Sequence, residues 1–452
     1  MIGRAFFTAF ILLSSQHLLA YPLSLQDALT TALQNNQKQK ISQYDQQIAQ
    51  ARYEQAFSPE YPTLDFSLTF NRHDENFVDE TQTNFTIPAG ILGPNEVSMP
   101  IEYTHVVMGR DTTVAQLDAS YALYTGGKIS AITTQAQQGI EYAKEDKKLT
   151  ESEIVFNIKK YYAASVLSDQ LLFLTQETAD RIEAIKEITE AFYNGDSLFV
   201  KKTDYLRVKL MLQSVYSMLL QMKTKASLAR SALLFEMGED TNASVELTDT
   251  QLHTVEVPDE LQSYIESMFL YNHQLAQSEI GLKIRDAQIE EMQSDYLPTI
   301  ALYAKAKKLE NNLDGGIIND TNNESWDIGI ALKLNLFSGH LTKYKVQEKE
   351  IEKLKLLAQQ SYLKSALSLQ TKNTFISLQR AIEQVKISQE ALTIAKENSD
   401  LNFRGYQQGM IETKDVLEAQ IFESMSKASY YKACYEVLTL EAKLNYTLGK
   451  SL

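Results

Sequence analysis

Four stretches of the chain alternate apolar and polar residues with a period of two. After Pro62, the residues Leu64, Phe66, Leu68 and Phe70 alternate with Thr63, Asp65, Ser67 and Thr69. Leu117, Ala119, Tyr121 and Leu123 stand against Gln116, Asp118, Ser120 and Ala122, and Ile300, Leu302 and Ala304 against Ala301, Tyr303 and Lys305. The fourth is the clearest: Trp326, Ile328, Ile330, Leu332, Leu334 and Leu336 on one face, Asp327, Gly329, Ala331, Lys333 and Asn335 on the other. This period predicts strands with one apolar face, over about 62–72, 114–125, 298–307 and 326–337. Strands of ~9–11 residues fit a membrane β-barrel. They equally fit a soluble antiparallel sheet resting on a core.

Between the strands the period lengthens. Ile154, Ile158, Tyr161, Ser165, Ser168, Leu172, Thr175, Ala179 and Ile182 follow 3–4 spacing, as do Phe375, Leu378, Ile382, Val385 and Leu392. Only 8 prolines occur, none of them between 101 and 257 or after 298. Proline interrupts helices, so its absence leaves long helices possible, predicted at 128–192 and 341–406. Each would measure ~98 Å at 1.5 Å per residue, too long for a compact domain. Shorter helices are expected at 24–57, 199–237, 261–295 and 411–448. Many seam positions are small or polar, so two arrangements compete: a dimeric coiled coil, or helices packed side by side around a wet hollow.

The pattern is written twice. A shift of 236 lays Leu25-Gln26 on Leu261-Gln262, Asn36 on Asn272 and Pro62-Thr63 on Pro298-Thr299. A shift of 213 lays Leu123-Tyr124-Thr125-Gly126 on Leu336-Phe337-Ser338-Gly339. Residues 21–238 therefore form a first structural repeat and 261–452 a second, joined by 239–260. The shifts differ by 23 residues, which places an insertion in the first repeat at about 73–111, either an extracellular loop or a folded-in plug.

Composition refines this picture. With 58 acidic and 43 basic residues the net charge is −15, which argues against nucleic acid as a partner. The single Cys434 excludes an intramolecular disulfide and a cysteine-based zinc site; its helical neighbours make it a small buried hydrophobe. Arg4, the apolar run Ala5–Leu13 and Ala20 have the form of a cleaved signal peptide over 1–20. No later run approaches the ~20 apolar residues of a spanning helix. Export and the duplication favour the membrane reading of the strands.

A duplicated helix–hairpin–long helix–helix unit behind a signal peptide resembles the TolC-like outer-membrane efflux protein family. The markers are Leu23–Leu29 with Asn35-Asn36, Tyr296–Thr299, the two strand-to-helix junctions ending in Gly126-Gly127 and Gly339, and Tyr406–Gly409 followed by Asp415–Ala419. The resemblance implies a mainly α chain with a membrane β-barrel. Three copies would share a twelve-stranded barrel in outer-membrane lipid and a long periplasmic α-helical barrel. Unpaired strand edges cannot stand in lipid, and pooling strands removes them. It further implies a homotrimer in the outer membrane of a Gram-negative cell, working with a periplasmic adaptor and an inner-membrane pump of RND or ABC type. Gly195 and Gly409 would mark the helix tips where the adaptor docks. Asp415 and Glu418 match an acidic pair that constricts the periplasmic mouth, Tyr406 a tyrosine that holds the helices closed, and Asp204 its acceptor. Where the family pattern has an arginine in that linkage, this chain has Ile411. The alternative for the acidic pair is one wet helix face.

No catalytic, cofactor or metal constellation is legible. The six histidines are scattered, His73-Asp74-Glu75 lacks helical metal spacing, and Gly126-Gly127-Lys128 lacks the phosphate-loop pattern. The expected function is a passive exit duct for small molecules in a tripartite export system. Type I protein secretion is the alternative within the fold, and a non-pore periplasmic coiled-coil adaptor is the alternative outside it.

Overall fold

Where proline, glycine and two asparagines fall decides where each helix and strand ends. The computed structural model describes residues 21–195, 200–252, 260–313 and 323–450. The signal-peptide segment 1–20 lies outside them, as does 253–259 of the inter-repeat stretch. The first repeat begins with β1 (Tyr21–Leu23), α1 (Leu25–Asn35) and α2 (Gln37–Phe57). Four strands follow: β2 (Thr63–Arg72), β3 (Phe77–Ile87), β4 (Val97–Met108) and β5 (Asp111–Tyr124). Then come α3 (Lys128–Asn194), α4 (Lys202–Met237) and β6 (Val245–Leu247). The second repeat runs α5 (Leu261–Tyr271), α6 (His273–Gln293), β7 (Thr299–Asn311), β8 (Glu324–Lys333), α7 (Leu341–Gln407) and α8 (Thr413–Leu448).

The helices of the two repeats match in length. α1 and α5 have 11 residues each, α2 and α6 have 21, α3 and α7 have 67, and α4 and α8 have 36. The 67-residue helices carry about 100 Å of contour. The insertion at 73–111 is the β3–β4 hairpin, which the second repeat lacks among the described residues.

The sequence suggests continuous helices over 24–57 and 261–295, but both break at one asparagine. Asn36 adopts φ −58°, ψ 131° and Asn272 φ −67°, ψ 120°. Asn36 Nδ2 donates to the Glu236 carbonyl at 2.6 Å, while its Oδ1 accepts from Lys38 N at 2.7 Å. Asn272 repeats this with the Thr447 carbonyl at 2.8 Å and Leu275 N at 3.1 Å. One side chain thus caps its own second helix and satisfies a carbonyl at the C-terminus of α4 or α8. Those two helices end at Gly238 and Gly449, both at φ +76°. A Cβ on Gly238 would lie 2.6 Å from the Asn35 carbonyl oxygen, and one on Gly449 would overlap the Tyr271 carbonyl. Left-handed φ and backbone contact together require glycine.

Tertiary contacts divide the chain into two units. The helical unit comprises the described residues up to Gln47, those within Tyr142–Glu279, and the chain from Ala358 on. Its apolar residues form three clusters. Leu29, Ile154, Ile158, Leu233 and Met237 lie in the first, and Met268, Leu378, Val437 and Leu448 in the second. Ile182, Ile185, Val208, Leu212, Tyr406 and Val416 lie in the third. Cys434 is buried in the second, and burial pushes its thiol pKa up. β1 pairs in parallel with β6. Tyr162 reaches across to that pair, its hydroxyl 3.2 Å from the Leu23 carbonyl oxygen and 2.8 Å from Asp249 Oδ2. Burial, with the neighbouring Asp249 carboxylate, pushes the phenol up to about 12.

The second unit, Ile48–Glu141 with the described part of Ile280–Leu357, holds an antiparallel sheet in the order β2-β5-β7-β8 and the separate β3–β4 pair. β8 stops at Lys333 instead of running to 337, because its partner β7 begins only at Thr299, after Pro298. A bulge at the end of β5 moves Leu123 out of register and sets Tyr124 opposite Ile300.

Candidate functional site

Register sorts the side chains of the four-stranded sheet onto two faces. One row reads Phe66, Leu117, Ala306, Trp326 across the sheet, the next Leu64, Ala119, Ala304, Ile328. Tyr121, Leu302 and Ile330 follow. Nothing among the described residues covers this face: Phe66 is 69% exposed, Phe70 72% and Trp326 78%. Its apolar rows run from Leu64 to Phe70 on β2, about 20 Å at ~3.3 Å per residue. Toward the Phe70 end it turns polar on β7 and β8, where Lys308 and Glu324, in the row of Leu68 and Ala115, pair at 3.4 Å. The opposite face carries Asp65, Asp118, Lys305 and Asp327 in one row, then Ser67, Gln116, Lys307 and Ser325 in the next. Lys305 Nζ lies 4.0 Å from Asp118 Oδ1. Such a sheet has an oily side and a charged side, with β2 and β8 as free edges among the described residues.

In the helical unit, the ends of α3 and α7 meet the starts of α4 and α8. Gly409, at φ +72°, turns the chain out of α7, with Met410 N donating to the Gly405 carbonyl at 2.9 Å. Ile411 then folds back on Gly405, where a Cβ would come within 2.5 Å of its Cγ1. This contact is what occupies the position of the expected arginine. Gly195 caps α3 through a 3.0 Å bond to the Ala191 carbonyl.

Tyr406 is 2% exposed, and its hydroxyl lies 2.7 Å from Thr189 Oγ1 and 3.1 Å from Thr413 Oγ1. Both threonines are buried. Thr189 spends its own proton on the Ile185 carbonyl at 2.6 Å. The order is therefore fixed: Thr413 donates to Tyr406, Tyr406 to Thr189, and Thr189 to the backbone. Asp204 does not join this chain. One carboxylate oxygen accepts from Lys201 N at 3.0 Å and the other from Arg207 at 3.1 Å, so it caps the start of α4. The threonines could not be singled out from sequence, because Thr189 lies 217 residues from its partner.

Asp415 and Glu418 are exposed on α8, turned away from the buried Val416, Leu417 and Ala419. Among the described residues neither carboxylate has a hydrogen-bond or ion-pair partner. Phe422 and Met425 continue the same exposed stripe. Asp415 in the first turn of α8 also faces the favourable end of the helix dipole.

Farther along, α3 and α8 are joined by a polar seam. Thr178 and Ser424 hydroxyls lie 2.7 Å apart, Arg181 donates to Glu423 at 2.9 Å, and Lys427 to Glu177 at 2.8 Å. The Lys427 hydrogen bond holds the Glu177 carboxyl below its usual range. α4 and α7 instead keep apolar outer stripes uncovered: Leu206, Leu210, Leu220, Leu228 and Phe235 on one, Ile376, Ile387, Ile394 and Leu401 on the other. Among the described residues no helix is long and apolar enough to cross a membrane, and no cluster of potential metal ligands occurs.

Residues 265–450 match the family described as outer membrane efflux protein. The chain is also 21% identical over 390 residues to nodulation protein T of Rhizobium leguminosarum bv. trifolii, covering 82% of this chain and 80% of that one. Its fold is that of solved TolC-like channels. The outer membrane protein VceC of Vibrio cholerae superposes with a TM-score of 0.73 at 17% identity, over 94% of this chain and 96% of that chain. The CmeC outer membrane channel of Campylobacter jejuni gives 0.76 at 15% identity, over 95% and 86%.

Proposed function

We propose that three copies of this chain form an outer-membrane channel, with β2 of each copy paired to β8 of the next. Three sets of four strands make a closed barrel of twelve. The observation that carries this reading is the two-faced sheet with free edges. An apolar face toward lipid needs every backbone group satisfied within the sheet, and only closure achieves that. The charged face then lines a wet lumen. The uncovered stripes of α4 and α7 provide the matching contact between copies in a periplasmic helical tunnel. In this reading the channel acts as a passive exit duct for small molecules. An inner-membrane transporter drives it, and a periplasmic adaptor docks near Gly195 and Gly409.

Asp415 and Glu418 form the gate of this channel. Three copies bring six carboxylates to one constriction, where they attract cations and raise one another's protonation tendency. The Thr413–Tyr406–Thr189 chain holds each copy's inner helices in the closed arrangement. Purification in detergent should give a trimer, and planar bilayers should show small, cation-preferring pores. In Asp415→Ala/Glu418→Ala, conductance should rise several-fold and cation preference should fall. A monomer without pore activity would sink the channel, and unchanged selectivity in the double variant would sink the gate.

A further inference from the structure

The β3–β4 hairpin is a second two-faced element, distinct from the membrane sheet. Antiparallel pairing sets Thr81 opposite Tyr103, Thr83 opposite Ile101, Phe85 opposite Met99, and Ile87 opposite Val97. These rows share one face. The other face carries Glu80 with Thr104, Gln82 with Glu102, Asn84 with Pro100, and Thr86 with Ser98. Gln82 donates to Glu102 across it at 2.8 Å. The apolar face is bare: Phe85 is 55% exposed, and Ile91 and Leu92 at the tip about equally or more so. An isolated two-stranded hairpin is marginal in water, and a contiguous apolar patch of this kind marks a contact.

Its position restricts what can cover it. The hairpin continues the β2–β5 ladder beyond the last paired row, Arg72 with Asp111. His73 N donates to the Arg110 carbonyl at 2.8 Å, and Arg110 N to Asn76 Oδ1 at 2.8 Å, which carries the pairing across the junction. β7 stops at Asn311, opposite Thr112, so among the described residues only the hairpin carries strand pairing farther. The junction is a polar belt of Arg72, His73, Asp74, Glu75, Arg110 and Asp111. Phe85 lies thirteen residues beyond Arg72, about 40 Å of extended chain. Bilayer lipid that covers Phe70 and Trp326 would have to cross a charged belt to reach Phe85. The occupant is therefore protein. β2, from which the hairpin grows, is the free edge where a neighbouring copy joins, so a matching apolar face arises at the same seam in fixed stoichiometry.

We infer that the apolar faces of the β3–β4 hairpins from the three copies pack on one another outside the membrane, as a second contact of the trimer beyond the barrel. The inference rests on the trimeric reading above. Single cysteines in the full-length chain test it, since native Cys434 is buried and stays silent. Phe85→Cys and Met99→Cys should give covalent dimers on copper–phenanthroline oxidation of the membrane-embedded protein. Gln82→Cys and Asn84→Cys, on the polar face, should give at least tenfold less. Equal yields from both faces, or no product while trimer and pore conductance persist, would overturn the hairpin contact and leave the channel standing. Labelling of Met99→Cys by a lipid-confined reagent would overturn it in favour of the bilayer. A chain that forms neither trimer nor pore overturns both readings.

Discussion

Tyr406 shows how much a single hydroxyl can organise. It is the only described link between two buried threonines, one on α3 and one at the start of α8. Tyr406→Phe removes a donor and an acceptor together and leaves the Thr413 hydroxyl buried without an acceptor. The cost should be about 1–3 kcal/mol, read as a lower thermal midpoint, with a larger open fraction in single-channel records. Asp204→Ala should leave the gate unchanged and only weaken the α4 cap, a contrast that separates the two roles. Glu177 offers a pH test. Its carboxyl pKa is lowered by the Lys427 hydrogen bond, with Arg181 adding to it. A lowered carboxyl contributes stability above its unfolded pKa, near the ordinary glutamate value of 4.5, and loses it as pH falls through the folded value. Glu177→Gln should therefore match the parent at strongly acid pH, fall progressively below it as pH rises toward about 4.5, and keep a constant deficit above that. A constant difference across a pH series of thermal melts would show that Glu177 acts by packing.

At the scale of elements, the two repeats solve the same joint in the same way. Asn36 with Gly238, and Asn272 with Gly449, lock a helix break onto a helix end. Gly238→Ala should cost ~1–2 kcal/mol from left-handed strain alone, and more from the clash with the Asn35 carbonyl. Guanidinium melts should report the loss, and a neutral result would mean the helix end relaxes freely. The joint was half legible: the asparagines aligned between repeats, and the glycines recurred at near-equal spacing. That the asparagine ends a helix was not, because one asparagine inside a polar, helix-compatible run carries no local stop signal. The satisfying carbonyl sits about 200 residues away. The strand faces were legible for the opposite reason, since period-two alternation is local. Only their ends moved, where Pro298 delays β7 and a bulge displaces Leu123.

For the whole molecule, the outer stripes of α4 and α7 decide whether one chain can stand alone. Leu210→Glu with Ile394→Glu places charges on faces that are largely exposed among the described residues. The proposed channel predicts loss of the trimer on native gels, with helical content by circular dichroism retained. A trimer that survives the pair would place the contact between copies elsewhere. The acidic pair belongs to this scale as well. Among the described residues Asp415 and Glu418 are unpaired, and the electrostatic consequence expected of them belongs to the proposed trimer, where three copies would bring them together.

By itself the sequence determined the periodicities and their duplication: alternation for strands, 3–4 spacing for helices, and proline-free spans long enough to exclude a compact domain. Those are local properties, set by how side chains project from a strand or a helix. Tertiary structure decided what depends on distant partners. It turned the 73–111 insertion into a two-faced hairpin, took Asp204 away from Tyr406 into a helix cap, and gave Tyr406 two buried threonines instead. The physical reason is that a hydrogen bond or an apolar contact is indifferent to sequence separation. Which donor meets which acceptor is settled only when the helices are packed.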